Sequence, residues 1–235
     1  MCELARYPVK SMAGQRLEAG DLGWYGLAGD RRFAFRRVDD RGAFPVLSAS
    51  RYPELLLYQP QGMDESAGEP VPTRVRTPDG RELELAAGEL AAAISEGAGC
   101  RVELLRLRHG IFDEGAVSII TTTTIAAIGR EAGVELDRRR FRANLVIETI
   151  DSPPFGEDAW VGRTMRFGDA PDGPAVSITM PDERCVMINL SPDTAEQDAR
   201  VMKAVVRLNG NHAGVYATPV ACGRIHPGDR VWVSA

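Results

Sequence analysis

The sequence predicts a mainly β protein with a few inserted helices, an α+β barrel or sandwich. Three observations predict it. Short apolar or alternating runs, ten or more of them, outnumber the helical stretches, of which there are about three. Gly (24) and Pro (15) are abundant, which suits many turns better than a helical bundle. Strands and helices show no regular alternation, so a doubly wound parallel sheet is not expected.

The elements follow in order. "MCELARYPVKSM" opens with an apolar strand that breaks at Pro8. "RRFAFRRV" alternates arginine with apolar residues, the pattern of a half-buried strand, and "DDRG" after it is a hairpin turn signal. "YPELLLYQP" is a further short apolar run in a region of strands and turns. Residues 60–73, "PQGMDESAGEPVPT", read as a polar surface loop. "TRVRTPDGRELEL" is a hairpin around a PDG turn. "AGELAAAISEGAG" has helix-forming composition and a Gly stop, and "CRVELLRLRHG" reads as a strand.

"AVSIITTTTIAAIGREAG" turns from β-branched strand into helix, with a threonine N-cap and Gly133 as the stop. "DRRRFRANLVIE" is a basic turn before a buried strand. "AWVGRTMRFGD", "AVSITMP" and "RCVMINL" read as strands. "SPDTAEQDARVMKAVVRLN" begins as a turn and continues as a helix, and "GVYATPVACGRIHPGDRVWV" reads as strand, turn, strand.

Composition limits the function classes. The 235 residues can bury a sizeable core in one large domain or two small ones. A net charge of -5 gives no general attraction for nucleic acid or for an anionic membrane, so neither is expected as a partner. No run reaches the ~18 apolar residues of a membrane span, and "MCELARYPVK" has no signal core. Cys2, Cys100, Cys185 and Cys222 are widely spaced and form no CxxC pair. Neither a thiolate zinc or iron–sulfur site nor a disulfide framework is expected, which places the protein in a reducing cytoplasm. No GxSxG elbow, HExxH or Walker loop occurs.

Against an acidic background, two arginine clusters need a reason: Arg31, Arg32, Arg36 and Arg37 around one strand, and Arg138, Arg139, Arg140 and Arg142 around one turn. Any single arginine is more often a solvated ion-pair partner. As a group they suit an anion site, because guanidinium forks match phosphate bidentately. Arg142, just before "ANLVI", can stand at the mouth of a buried strand. Lys10 and Ser11 in "YPVKSMAG" form a weaker phosphate-grip signal. The Asp113–Glu114 pair reads as a surface turn before acid–base machinery, and His109, His212 and His226 have no ligand spacing. Cys185 follows "DER", a poor setting for a core thiol and a good one for an exposed thiol. Arg184 beside it would favour the thiolate, the form that binds metals. On composition alone, an inert cysteine and a ligand remain equally open.

Several stretches together resemble one known family. "RYPVKSMAG" and "GDRRFAF" are similar to the N-terminal β-barrel region of MOSC proteins. "FRANLVI", "RCVMINLSPDT" and "GVYATPVACGRIHPGDRVWV" are similar to the MOSC domain. The resemblance runs in order over nearly the whole chain. It implies a MOSC β-barrel with an N-terminal β-rich domain packed on it, over residues 109–235 and 1–108 respectively. It implies the molybdenum cofactor, a pyranopterin dithiolene (Mo-molybdopterin) with a terminal phosphate, and the mitochondrial amidoxime reducing component and its bacterial relatives as the nearest functional analogy.

By that resemblance, Cys185 is the molybdenum ligand at the catalytic centre. Lys10 and Ser11 hold the phosphate region, and Arg31 in "GDR" contacts the cofactor. Arg142 and Asn144 lie against it, with Ala143 in place of the usual proline. Asp113 falls in a cofactor-contacting segment that departs from the family pattern, and Asp193 in "SPDT" reads as a turn or helix cap. The implied activity is the two-electron reduction of N-hydroxylated small molecules. The chain ends at "VWVSA" without a ferredoxin cluster motif, so a separate ferredoxin or flavoprotein donor is expected.

The alternatives are a cofactor carrier or sulfur-transfer module, with Cys185 bearing a persulfide, and a binding domain that has lost the cofactor. The family is also associated with pyridoxal phosphate binding, but the chain has no room for a pyridoxal-phosphate cysteine desulfurase.

Overall fold

The computed structural model describes residues 1–66, 68–110 and 112–234. An eight-stranded sheet dominates it. The N-terminal segment supplies β1 (Glu3–Arg6) and β2 (Gln15–Arg16), then β3 (Gly20–Gly23), β4 (Gly26–Leu27) and β5 (Phe33–Arg37). Next come β6 (Gln59–Asp64), β7 (Val71–Arg76), β8 (Glu82–Glu84), α1 (Gly88–Ala98) and β9 (Val102–Arg106). The second half holds β10 (Val117–Thr121), α2 (Thr122–Ala132), β11 (Leu145–Ile147), β12 (Thr164–Phe167), β13 (Ala175–Glu183), α3 (Ala199–Asn209), β14 (His212–Ala221), β15 (Gly223–Ile225) and β16 (Val231–Val233).

The large sheet runs β16-β12-β13-β14-β10-β11-β1-β2. Its neighbours are antiparallel except β10–β11. The Met1 amine donates to the Asp229 carbonyl (2.7 Å) and the Gly228 N–H to the Met1 carbonyl (2.8 Å), which brings the start of β1 to the turn before β16 and curls the sheet toward closure. Its interior is apolar: Leu4, Ile119, Leu145, Phe167, Val176 and Val215 are buried together. On the outer face, α2 and α3 cover Ile120, Val146 and Ala213 with Ile128, Val201 and Val205. β10 is therefore buried on both faces, which explains its unbroken apolar run. The other core lies between β5, β9, the sheet β6-β7-β8 and α1.

The expected boundary near residue 108 falls between β9 and β10, but hydrogen bonding crosses it. β1 pairs with β11, and β15 pairs with β3.

Local signals behave as their chemistry dictates. The Thr121 side chain caps α2 by accepting the Thr124 N–H, and Gly99 and Gly133 end α1 and α2 in the left-handed region. Five expectations are corrected. Residues 60–73 are largely a β6–β7 hairpin, with Val71 and, just beyond, Val75 facing the core. The apolar part of "YPELLLYQP" is a 3-10 turn, Pro53–Leu57, started by its proline. Phe33, Ala34 and Phe35 are all buried, because β5 is covered on both faces, so strict alternation fails. The "DDRG" turn forms, with Gly42 N–H on Asp40, but beyond it lies only the Arg36–Val46 bridge; the ladder partner of β5 is β9. "RCVMINL" is not a strand: β13 ends at Glu183 and Val186–Asn189 is a 3-10 turn.

Gly29 shapes the turn that carries Arg31. Its φ is +75°, and an added Cβ would overlap the Pro70 carbonyl oxygen. Gly29→Ala is expected to cost at least about 2 kcal/mol, from left-handed strain plus displacement of the β7 approach. Urea unfolding measures it; an unchanged midpoint would mean that the turn moves freely.

Candidate functional site

Three of the residues singled out from the sequence sit on left-handed backbone, rare for non-glycine residues: Ser11 (φ 66°), Arg31 (φ 49°) and Arg142 (φ 51°). Each ends a tight turn that aims its neighbourhood at one place. After Pro8 stops β1, Lys10 N–H bonds the Phe33 carbonyl (2.8 Å) and Met12 N–H the Val9 carbonyl (3.2 Å). Arg31 N–H bonds the Tyr7 carbonyl (2.8 Å), and Arg142 closes the 3-10 turn Arg138–Phe141. Such backbone costs of order 1–3 kcal/mol per residue and persists where its surroundings over-determine it.

The side chains form a linked basic layer. Arg31 donates to Asp30 (2.5 Å), to Asn144 Oδ1 (3.3 Å) and to the Arg142 carbonyl (3.1 Å). Asp30 is fully buried and also accepts the Tyr7 N–H (2.7 Å). Burial opposes the Arg31 charge, but Asp30 outweighs it and holds the guanidinium pKa above its usual value. Arg142 donates to the Met12 carbonyl (2.7 Å) and lies 4.3 Å over the Tyr7 ring. Burial pushes its pKa down to about 10, so it stays charged at neutral pH.

Lys10 is 7% exposed, and its Nζ meets Asp113 Oδ1 at 2.7 Å. Burial, the larger effect, lowers the Lys10 pKa, while Asp113 opposes that shift. Burial would raise the Asp113 carboxyl, but the Lys10 charge and hydrogen bond overcome it and hold the carboxyl below its usual range. The Asp113 side chain is 65% exposed, so this pair sits at a mouth, where screening keeps its worth small.

Cys185 is exposed and is the N-cap residue just before the 3-10 turn Val186–Asn189. Arg184, just before it, lines the same cavity as Cys185. It is 7% exposed, donates to the carbonyls of Ala213 (2.7 Å) and Phe141 (2.8 Å), and pairs with Asp182 at 2.9 Å. The Arg184 charge that the sequence sets next to the Cys185 thiol is also paired with Asp182, within the cavity that both residues line. Burial raises the Asp182 carboxyl pKa, and Arg184 and the Ser118 hydroxyl (2.8 Å) work against the rise.

Lys10, Ser11, Arg31, Asp113, Arg142 and Cys185 line one cavity of about 330 Å³. Asn144 does not line it. It is 1% exposed and acts from behind, accepting the Ser118 N–H (3.1 Å) and donating to the Ala5 carbonyl (3.2 Å), so that it ties β1, β10 and Arg31 together. Asp193 caps nothing; it pairs with Arg139, and Asp198 caps α3. His109 stacks on Tyr25 (centroids 4.0 Å apart), far in role from a ligand. Among the described residues no group of three or more His, Cys, Asp or Glu could hold a metal ion.

Sequence reasoning missed Tyr7, Asp30 and Asp182. A tyrosine before Pro8 and an aspartate before Arg31 carry no periodic signal; only the packing of two guanidinium groups against one ring reveals the first. Asp182 lies three residues before Cys185, where the sequence reads simply as charged.

Comparison with known proteins follows this geometry. The family model described as the MOSC domain matches residues 106–232, and that of the MOSC N-terminal beta barrel domain matches residues 1–110. No curated protein matches the chain. Among solved structures, the YUAD protein from Bacillus subtilis is similar in fold, with 15% identity, 98% of this chain and 92% of that chain covered, and a TM-score of 0.52. YiiM from Geobacillus stearothermophilus shares 16% identity over 52% of this chain and 55% of that one, with a TM-score of 0.40.

Proposed function

The chain belongs to the MOSC domain family, and on that premise we propose that it binds the molybdenum cofactor and reduces N-hydroxylated small molecules. One observation carries the reading: an exposed thiol, Cys185, shares a cavity with Lys10, Ser11, Arg31 and Arg142 in a protein of net charge -5.

The donor set fits that group. Cys185 offers a soft sulfur ligand, and a phosphate-bearing, anionic cofactor needs fixed cations in a protein that otherwise repels it. Arg31 and Arg142 are preorganised by their strained turns and by Asp30, Asn144 and Tyr7, so little ordering cost remains on binding. Lys10 and the Ser11 hydroxyl would hold the phosphate region. An anion arriving there competes with Asp113 for the Lys10 ammonium, and Asp113, being exposed, can give way to water. Cys185 would hold the metal, and the Arg184 tether keeps the backbone before it in place.

The cofactor, when bound, supplies the two-electron redox chemistry. The reaction takes two electrons and two protons, breaks the N–O bond and releases water. The electrons come from a separate ferredoxin- or flavin-type donor, and the setting is the cytoplasm, where the four cysteines stay as thiols. Among the described residues, no helix is long and apolar enough to cross a membrane.

The test is protein made in a host that synthesises the cofactor, analysed for molybdenum and pterin, then assayed for reduction of benzamidoxime or hydroxylamine with a chemical electron donor. About one molybdenum per chain with turnover is the expected result. Cofactor without turnover would support the carrier or sulfur-transfer function, and no cofactor would leave a binding domain.

A further inference from the structure

A second cavity of about 330 Å³ lies beside the first, and none of the roles above uses it. Arg140, Arg142 and Met187 line both cavities and so form the wall between them. Its other residues come from both halves of the chain, β1 and the segment into β2 on one side and residues 137–140 and 190–192 on the other.

The charge lining this second cavity is unusual for an acidic protein. Arg16, Arg138, Arg139, Arg140 and Arg142 face it, against the carboxylates Glu3 and Asp137. Those carboxylates are already engaged: Glu3 pairs with Arg138 (3.3 Å) and Asp137 with Arg139 (2.6 Å), which also holds Asp193. Among the described residues, Arg16, Arg140 and Arg142 have no carboxylate partner within ion-pair distance. Arg140 donates only to the carbonyls of Asn189 (2.7 Å) and Ile188 (3.4 Å), and Arg142 only to that of Met12 (2.7 Å). Three guanidinium groups without a direct ion-pair partner thus stand around one concavity, whose low-dielectric walls focus their charge. The remaining surface is the Gln15 amide and an apolar part from Tyr7, Leu56, Leu190 and Pro192.

We propose that this cavity is a binding site for a small organic anion, a carboxylate or phosphate monoester carried on an apolar body. The volume suits a small molecule. The unpaired guanidinium forks suit the planar or tetrahedral anionic head, and the apolar walls suit an aromatic or branched body. Arg140, Arg142 and Met187 line both cavities, whereas Arg16 and Leu56 line this one and not the Cys185 cavity, so Arg16 and Lys10 separate the two sites in a test.

The test is calorimetric titration of the full chain with phenyl phosphate and benzoate, against benzamide as the neutral control. One equivalent of phenyl phosphate should bind outside the Cys185 cavity, and benzamide should bind at least about tenfold more weakly, the worth of a charge-assisted hydrogen bond. Arg16→Ala should weaken phenyl phosphate about tenfold, and the charge reversal Arg16→Glu should abolish measurable binding. Arg16 is exposed on the short strand β2, so neither variant threatens the fold. Lys10→Ala should leave this binding unchanged. Binding lost with Lys10→Ala and insensitive to Arg16 would overturn the proposal by moving the anion to the Cys185 cavity. Equal binding of benzamide, or no binding of any probe, would overturn it outright.

Discussion

Cys185→Ala, made in a host that synthesises the molybdenum cofactor, is expected to carry less than about a tenth of the wild-type molybdenum while unfolding at the wild-type denaturant concentration. The two halves of that result have separate causes. Cys185 is exposed and begins a 3-10 turn without a side-chain cap. Its removal creates no cavity and orphans no buried polar group, so stability should stay within about 0.5 kcal/mol. Among the described residues no other cluster could hold a metal, so the soft ligand would have no local substitute. Metal analysis beside urea unfolding reads both. Wild-type molybdenum in the variant would take Cys185 out of the metal site. Loss of metal together with loss of stability would show that the thiol acts on the fold, not on the metal.

Arg184→Met should cost about 3–5 kcal/mol of stability, the usual price of leaving one member of a buried ion pair uncompensated. Arg184 is 7% exposed and Asp182 1%. The substitution strands Asp182 and removes the bonds to the Ala213 and Phe141 carbonyls, which join β14 and the arginine turn to the segment before Cys185. The pH dependence follows from the raised Asp182 pKa. With its folded value above the ordinary 3.8, ionising Asp182 costs folding energy, and without Arg184 the folded value rises further. The deficit of the variant should therefore grow as pH rises through the raised folded-state pKa of wild-type Asp182, and shrink in acid, where Asp182 is neutral in both states. Arg184→Met combined with Asp182→Leu should recover much of the loss. A deficit independent of pH, or no recovery in the double variant, would show that the carbonyl bonds and not the charge pair carry the stability.

Much of the fold was legible. The strand-to-helix turn with its threonine cap, the PDG hairpin, α1 with its glycine stop and α3 all arise from local rules, and they form where those rules put them. The failures share one cause. β6 and the first residues of β7 were hidden under Pro, Gly and acidic residues, because their stability comes from pairing and from one buried face, which composition does not record. The turn after Cys185 read as a strand because an apolar run has no periodicity that separates a buried strand from a short 3-10 turn. Asp182, the partner that takes up the Arg184 charge, was hidden for the same reason, because the sequence there reads simply as charged.

The sequence by itself determined the β-rich class, the family, and which residue types were present for an anion and a soft metal, since these depend on composition, local propensity and ordered motifs. Only the tertiary structure decided that Lys10, Ser11, Arg31, Asp113, Arg142 and Cys185 share one cavity, and that Asn144 supports it from behind. It also decided which arginines are neutralised and which keep their charge free. Proximity between residues 10 and 185 is set by strand pairing such as β1 with β11 and β3 with β15. That pairing is a property of the whole packed chain, with no counterpart in any local window of it.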